Sequence, residues 1–228
     1  QAIHAGTYRV AITNASGGTT YSSNSVLNVS GSDPLAQGLV AYYPFNGNAN
    51  DESGNDNNGT VSGATLTTDR NGSANSAYRF DGTDDYIMSN VGLINQNFTY
   101  SAWLKAETGQ PYLSSFGCLG PAAPAEPHIW NFCYDYTNGR FNLWHYNSGW
   151  NHTNEGPKDA WAHVVIKYEA TNAKLYVNGV EMTSVSGVPN PIPDRGGRQL
   201  FIGHNGYLGD SGWNPQAYKG VIDDVRVY

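Results

Sequence analysis

The sequence predicts an all-β protein, and three observations lead to that prediction. Tyr, Asn, Thr, Ser and Gly are abundant while Lys, Glu and Leu are scarce, which is typical of strands joined by tight turns. Short apolar runs recur with turn residues between them, and no stretch has the periodicity of an amphipathic helix. The 228 residues are 39% hydrophobic and only 14% charged, too apolar for a disordered segment and too weakly charged for a helical bundle.

Charge and hydropathy exclude several classes of partner. The net charge is −7 and no basic run occurs, so we do not expect nucleic acid to bind. No apolar stretch reaches the length of a membrane span. No signal peptide is visible, and we therefore interpret the chain as an excerpt of a mature protein.

The first 30 residues are predicted to form two strands of their own. Residues 5–13 and 20–29 alternate apolar and polar side chains around a Gly/Ser turn. This pair resembles the last two strands of a bacterial immunoglobulin-like domain, in which Tyr8 would be the tyrosine of the corner motif. The predicted organisation is a domain fragment at 1–30, a linker at 31–37 and a second domain at 38–228. The alternative is a native N-terminal hairpin of the second domain.

The remainder of the chain is a series of strand-like runs, among them a hairpin formed by 164–170 and 173–180. The informative runs are 38–43 (GLVAYY), 78–86 (YRFDGTDDY), 98–104 (FTYSAWL), 161–165 (WAHVV), 174–179 (KLYVNG), 200–203 (LFIG) and 220–228 (GVIDDVRVY). In this order they resemble the laminin-G-like, concanavalin A-like jelly-roll family of secreted bacterial proteins, which includes carbohydrate-binding modules. The resemblance implies a two-sheet antiparallel jelly-roll sandwich over 38–228.

An oxygen-rich loop at 44–59 and the acidic last strand suggest a cation site. Calcium takes six to eight oxygen ligands from carboxylates, amides and carbonyls. The family resemblance would place Asp51, in an Asp-x-Ser-Gly-Asn element, at calcium, and Asp223 lies on a strand expected beside the first one. We predict a structural calcium ion held by Asp51 and Asp223, with Asn48 and Asn46 as further ligands. The alternative is a loop of Asx-turns that binds no ion.

Aromatic residues cluster between positions 128 and 150. The cluster contains Trp130, Tyr134, Tyr136, Trp144, Tyr146 and Trp150. Strand alternation places Trp130 with Phe132 and Tyr134 on one face, which we interpret as core. It places Trp144 and Tyr146 with Asn142 on a second face, where rings could stack on sugars. We predict that Trp144, Tyr146 and Trp150 contact a ligand, with Trp130 as a weaker candidate, and that Trp103 and Trp161 are core.

Polar residues with access to the same face could orient the ligand. The candidates are His128, His145, Arg140, Arg195, Arg198 and His204, with Trp213 overhanging from a Gly-rich loop. Each has an alternative interpretation as a solvated loop residue. The histidines do not have the spacing of a zinc motif.

The two cysteines, Cys118 and Cys133, lie in strand-like runs on either side of a Pro-rich connection. A hairpin there would bring them within disulfide distance, and a disulfide favours an oxidising compartment. The alternative is a pair of unrelated buried thiols.

These features favour a non-catalytic carbohydrate-binding module that recognises a polysaccharide, within a larger secreted or cell-surface bacterial chain. A domain that adheres to proteins or cell surfaces is the alternative. An enzyme is disfavoured, because no glutamate begins the Glu-x-Asp-x-x-Glu motif of retaining relatives and no Gly-x-Ser-x-Gly elbow occurs. A polysaccharide lyase, which often uses Tyr or His with Arg, is disfavoured relative to binding, although the sequence contains all three residue types.

Overall fold

The computed structural model describes residues 6–27, 35–92, 97–110, 113–120, 130–145, 149–186, 199–206 and 216–228. Contacts divide the chain into two compact units, Gln1–Gln37 and Gly38–Tyr228. Among the described residues there is no helix with the length and apolarity of a membrane span.

The first unit is an interrupted hairpin. Its strands are β1 (Gly6–Tyr8), β2 (Ala11–Thr13), β3 (Thr19–Tyr21) and β4 (Ser25–Leu27). β1 pairs with β4 and β2 with β3, both antiparallel. Val10, Ile12 and Val26 are each more than 60% exposed, so the apolar side chains of this unit are not covered within it.

The second unit is a sandwich of two antiparallel sheets, which confirms the predicted fold class. Its strands are β5 (Ala41–Tyr43), β6 (Thr60–Ser62), β7 (Thr65–Thr67), β8 (Ala77–Asp81), β9 (Tyr86–Ser89), β10 (Phe98–Ala106), β11 (Ser114–Gly120), β12 (Trp130–Asp135), β13 (Arg140–His145), β14 (Gly149–Glu155), β15 (Ala162–Glu169), β16 (Asn172–Val177), β17 (Val180–Ser186), β18 (Gln199–Ile202) and β19 (Lys219–Val227). The eight-stranded sheet has the order β17-β16-β15-β10-β19-β8-β7, with β5 also paired to β19. The seven-stranded sheet has the order β14-β13-β12-β11-β18-β9-β6.

The core lies between the two sheets and is rich in aromatic rings. The largest fully buried side chains include Trp130, Tyr43, Tyr100, Tyr134, Tyr168, Tyr218, Phe80, Phe116 and Phe132. The strands alternate as the sequence predicts: along β15 every second residue is buried. Full burial of one such ring stabilises the fold by roughly 1.5–3 kcal/mol, so these rings dominate the packing energy.

A bulge in β19 shapes the eight-stranded sheet near its centre. Ser101 and Trp103 of β10 lie opposite Arg226 and Asp223, so β19 contains one extra residue in this interval. Asp224, within this interval, has a φ of 52°, a left-handed conformation that is uncommon for a residue other than glycine. The bulge turns the side chains of Asp223 and Asp224 towards Arg70, which follows β7.

Candidate functional site

The candidate ligand surface is the face of the seven-stranded sheet that points away from the core. Trp130, Phe132 and Tyr134 of β12 point inward and are fully buried. The ring of Trp130 packs against Phe98 and Tyr168 of the opposite sheet. Trp130 is therefore a core residue, and the expectation that it could contact a ligand is wrong. The alternation that placed it with Phe132 and Tyr134 is what the structure shows.

The strand register brings two of the predicted ligand positions together. Trp144 of β13 pairs with Asn131 of β12 on one side and with Trp150 of β14 on the other. Asn142 pairs with Cys133 and with His152 in the same way. Because Asn131 alternates with the core-facing Trp130 and Phe132, positions 144 and 150 fall on the outward face.

The structure describes only some of the remaining ligand candidates. Tyr146, His128, Arg195, Arg198 and Trp213 lie outside the described residues, as do the side chains of positions 144–155. Position 145 pairs with the core residue Trp130, on the other face from position 144. Arg140 is exposed at the start of β13, opposite Asp135.

His204 is 1% exposed, in the turn after β18, and its ring lies 6.1 Å from that of Tyr86. Its Nδ1 accepts a hydrogen bond of 3.0 Å from the Gly206 N–H. Burial lowers the pKa of His204 to about 4, partly opposed by the nearby Asp84 carboxylate. His204 is thus a neutral, buried residue at physiological pH, and in this structure it is not available to a ligand.

A buried row of neutral polar side chains runs across the outward face, and the sequence analysis missed it. The Ser115 hydroxyl donates to Asn131 Oδ1 at 2.5 Å, and Asn131 Nδ2 donates to Gln216 Oε1 at 2.6 Å. Asn142 lies one strand further along and its Nδ2 donates to the Arg140 carbonyl at 3.2 Å. The available signal was an asparagine between two large aromatic residues of a buried strand, at position 131.

The predicted disulfide is not formed: Cys118 and Cys133 are both free and buried. The strands do pair, but Cys118 lies opposite Asn131 and Cys133 opposite Ser115, with a register shift between Ser115 and Gly117. The thiols are therefore diagonal neighbours rather than partners across the ladder. Burial raises the pKa of both thiols, and the proximity of Cys118 raises that of Cys133 further.

The Asp51 carboxylate accepts four hydrogen bonds from Tyr42 and from its own loop. Its Oδ1 accepts hydrogen bonds from the Tyr42 and Ser53 N–H groups at 2.8 and 2.9 Å. Its Oδ2 accepts from the Ser53 hydroxyl at 2.8 Å and the Asn57 N–H at 3.0 Å. A carboxylate has about four acceptor positions, and these four donors use them.

Asp223 has a different partner from the one we predicted. Its side chain is 3% exposed and forms an ion pair with Arg70, whose second nitrogen binds Asp224 at 3.0 Å. Burial raises the pKa of Asp223 to about 6, although Arg70 acts in the opposite direction. The guanidinium thus supplies the positive charge that we had assigned to calcium.

Asp51 and Asp223 lie on opposite sides of β5. Tyr42 uses its backbone N–H and carbonyl for Asp51 and Glu52, while the other edge of β5 pairs with β19. Two strand spacings amount to roughly 9–10 Å, whereas two ligands of one calcium ion each lie about 2.3–2.6 Å from it. Asn48 Oδ1 accepts from the Asn50 N–H, and Asn46 is exposed. These four residues do not fit one shared calcium ion.

Comparison with known sequences identifies the family. The chain matches the Concanavalin A-like lectin/glucanases superfamily over residues 81–228. The chain belongs to this superfamily. No curated protein matches it significantly.

Solved structures of other proteins contain a similar fold. Domain 4 of AbnA, an extracellular arabinanase from Geobacillus stearothermophilus solved with arabinotriose, is 23% identical with a TM-score of 0.63, covering 83% of this chain and 91% of that one. Trypanosoma rangeli sialidase is 16% identical with a TM-score of 0.62, covering 84% of this chain but 30% of the sialidase. The binding domain of botulinum neurotoxin serotype D is 16% identical with a TM-score of 0.60, covering 86% and 49%.

On the outward face of this concanavalin A-like domain, Asp135 lies at the end of β12. Asp135 is 6% exposed, and it accepts hydrogen bonds from the Asn138 N–H at 3.2 Å and from Asn138 Nδ2 at 2.7 Å. Asp135 thus holds the turn between its two strands.

Proposed function

We propose that this domain is a non-catalytic carbohydrate-binding module that recognises a polysaccharide on the outward face of β12–β14. The observation that carries the proposal is the register of Trp144 with Trp150, beside a row of buried amides. Flat rings bind the apolar face of a sugar.

Two further observations support glycan recognition without catalysis. AbnA domain 4, which has the same fold, was solved with arabinotriose, so a domain of this architecture can hold a short glycan. The retaining-glycosidase motif is absent from the sequence, and Asp135 is engaged in a turn. Several structural neighbours are parts of enzymes, so the test must include hydrolysis products.

We also propose that the domain acts within a larger secreted or cell-surface protein. The support is the hairpin of the first unit, whose apolar side chains Val10, Ile12 and Val26 are exposed as they would be in a fragment of an immunoglobulin-like domain. Calcium is not part of the proposal, because the predicted ligands do not fit one ion.

The proposal is tested by affinity electrophoresis on soluble polysaccharides, with Trp144→Ala and Trp150→Ala variants. Loss of one stacking ring costs on the order of 1–3 kcal/mol, by analogy with stacking on nucleic-acid bases, and this corresponds to an affinity loss of roughly 5- to 150-fold. Trp103→Ala is the matched control, because Trp103 lies on the other sheet. Retained binding in both Trp144 and Trp150 variants, or the release of reducing ends from the polysaccharide, would contradict the proposal.

Adhesion to a protein is the second candidate. The outward face of the eight-stranded sheet carries Trp103, Tyr42, Arg70 and Arg226, residue types that dominate protein–protein hot spots. A neighbour of the same fold is the binding domain of a neurotoxin. Under this function Trp103→Ala would abolish binding to cells while the Trp144 variant would not.

A further inference from the structure

A cavity of about 240 Å³ opens on the sheet that does not carry the proposed polysaccharide surface. It lies at one end of β10 and β15 in the eight-stranded sheet. It is lined by Gly38, Asn97, Phe98, Thr99, Lys167, Tyr168, Glu169 and Tyr228.

The strand register explains why a depression forms there. Thr99 is a small residue that pairs with the longer Lys167 on β15 and exchanges backbone hydrogen bonds with Tyr228 after β19. The depression is therefore deepest at Thr99, and Lys167 and Tyr228 flank it on either side. Phe98 and Tyr168 point into the core, with exposures of 3% and 1%, so the floor beneath is rigid.

The polar groups of the cavity leave hydrogen-bonding capacity unused. The Thr99 hydroxyl makes no hydrogen bond to the described part of the protein. Asn97 uses its Oδ1 to accept from the Ala170 N–H at 2.9 Å, which leaves the two donors of its Nδ2. Lys167 binds Glu169 at 2.6 Å, and both side chains are about half exposed or more, so further donors and acceptors remain at the rim.

The charge and size of the cavity restrict the ligand. Lys167 and Glu169 neutralise each other, so the cavity does not favour an anion or a cation. A volume near 240 Å³ is below the range of roughly 300–1,000 Å³ typical of sites for drug-sized molecules, which suits a single ring. Donors and acceptors beside an aromatic residue, Tyr228, match a neutral sugar, which has one apolar face and several hydroxyls.

We propose that this cavity is a second carbohydrate site that binds one neutral sugar ring through Asn97, Thr99, Lys167 and Tyr228. It lies on the other sheet from Trp144 and Trp150, so it is independent of the polysaccharide surface.

The test is an NMR titration of the whole chain with glucose, galactose, arabinose and xylose, each to about 50 mM, well above a millimolar dissociation constant. At least one sugar is expected to shift the amide signals of residues 97–99, 167–169 and 228. Thr99→Val and Lys167→Met should each lower the affinity for that sugar by about 2- to 12-fold, the range expected for one lost hydrogen bond. Lys174→Met is the matched control, because Lys174 pairs with Lys167 across the strands but does not line the cavity.

Each outcome decides the proposal. Shifts at the cavity that the two variants weaken and the control does not would support it. Shifts confined to β13 and β14 would overturn it while supporting the polysaccharide surface. No shift with any of the four sugars would overturn it, and polysaccharide binding by the Trp144 surface would still be judged separately by electrophoresis.

Discussion

The two outward faces of the sandwich differ in how their buried polar side chains are paired. On the seven-stranded sheet the buried polar groups are neutral, and Ser115, Asn131 and Gln216 bond to one another. On the eight-stranded sheet they are charged, and Arg70 neutralises Asp223 and Asp224. Buried neutral groups need only a hydrogen-bond partner, whereas buried ions are tied to their counter-ions. Loss of one partner should therefore cost less stability on the first face than on the second.

The charged face also explains the environment of Trp103. Its ring centre lies 5.0 Å from the Arg70 guanidinium and 5.0 Å from the stacked ring of His163. Burial lowers the pKa of His163; the Asp224 carboxylate opposes this shift, and Arg70 and Arg226 add to it. Trp103 thus packs against members of the charged network.

Among the variants that test this difference between the faces, we expect Arg70→Met to lower the unfolding free energy the most. The variant leaves the buried Asp223 without its counter-ion, and breaking such a pair typically costs about 3 kcal/mol or more in unfolding free energy. Urea unfolding measures it. The matched control is Arg79→Met, because the ion pair of Arg79 with Glu107 is more exposed than that of Arg70 with Asp223 and its loss should cost no more than about 1 kcal/mol. Equal losses in the two variants would show that the charged network is not structural.

The pH dependence of stability should have opposite signs at the two faces. His204 has a pKa of about 4 in the folded protein, below its ordinary 6.5. Its contribution to the unfolding free energy is therefore complete above pH 6.5 and is lost as the pH falls towards 4. Asp223 has a folded pKa of about 6, above its ordinary 3.8, so its contribution is complete below 3.8 and is lost as the pH rises through 6. Each contribution amounts to about 3 kcal/mol.

Two variants separate these opposed slopes. Relative to the wild type, His204→Gln should make stability fall with pH between about 4 and 6, and Asp223→Asn should make it rise. Unfolding free energies measured across that range give the slopes. Identical pH profiles for the two variants would contradict the assignment of either group.

Strand alternation predicted the inner face of β12 from sequence, but long-range partners could not be predicted. Trp130, Phe132 and Tyr134 alternate in a short strand, which is local information. Arg70 and Asp223 are 153 residues apart, and no local pattern links them. Trp103 and Trp161, expected in the core, are both partly exposed, because the motifs that contain them do not specify which face each ring takes.

The cysteine prediction failed for a comparable reason. The hairpin of β11 and β12 was predictable from two strand-like runs, whereas the register shift between Ser115 and Gly117 was not. One shifted residue is enough to change which side chains lie opposite. Thiol titration of the denatured, unreduced protein should therefore find two free thiols.

A smaller effect is expected on the neutral face from Gln216→Ala. Gln216 Oε1 accepts from Asn131 Nδ2 and lies 3.6 Å from Cys133 Sγ. Its removal leaves a buried amide donor without an acceptor, which costs about 1–2 kcal/mol. The same change should let a thiol reagent reach Cys133 in the folded protein. An unreactive thiol together with unchanged stability would show that Gln216 does not cover this row.

The smallest effect is expected from chelation, and it separates the sequence prediction from the geometry. A calcium ion that binds only the folded state would add roughly 3–4 kcal/mol when present at 100 to 1,000 times its dissociation constant, and chelation would then lower the melting temperature. Because the four acceptor positions of Asp51 are used by backbone and hydroxyl donors, and Asp223 is neutralised by Arg70, we expect chelation to leave the melting temperature unchanged.

If elemental analysis finds bound calcium and chelation destabilises the protein, Asp51→Asn and Asp84→Asn identify its place. The second variant is informative because Asp81, Asp84 and Asp85 have carboxylate oxygens within 4.8 Å of one another. Destabilisation by chelation that Asp51→Asn abolishes would restore the sequence prediction and would show that the ion displaces the loop hydrogen bonds.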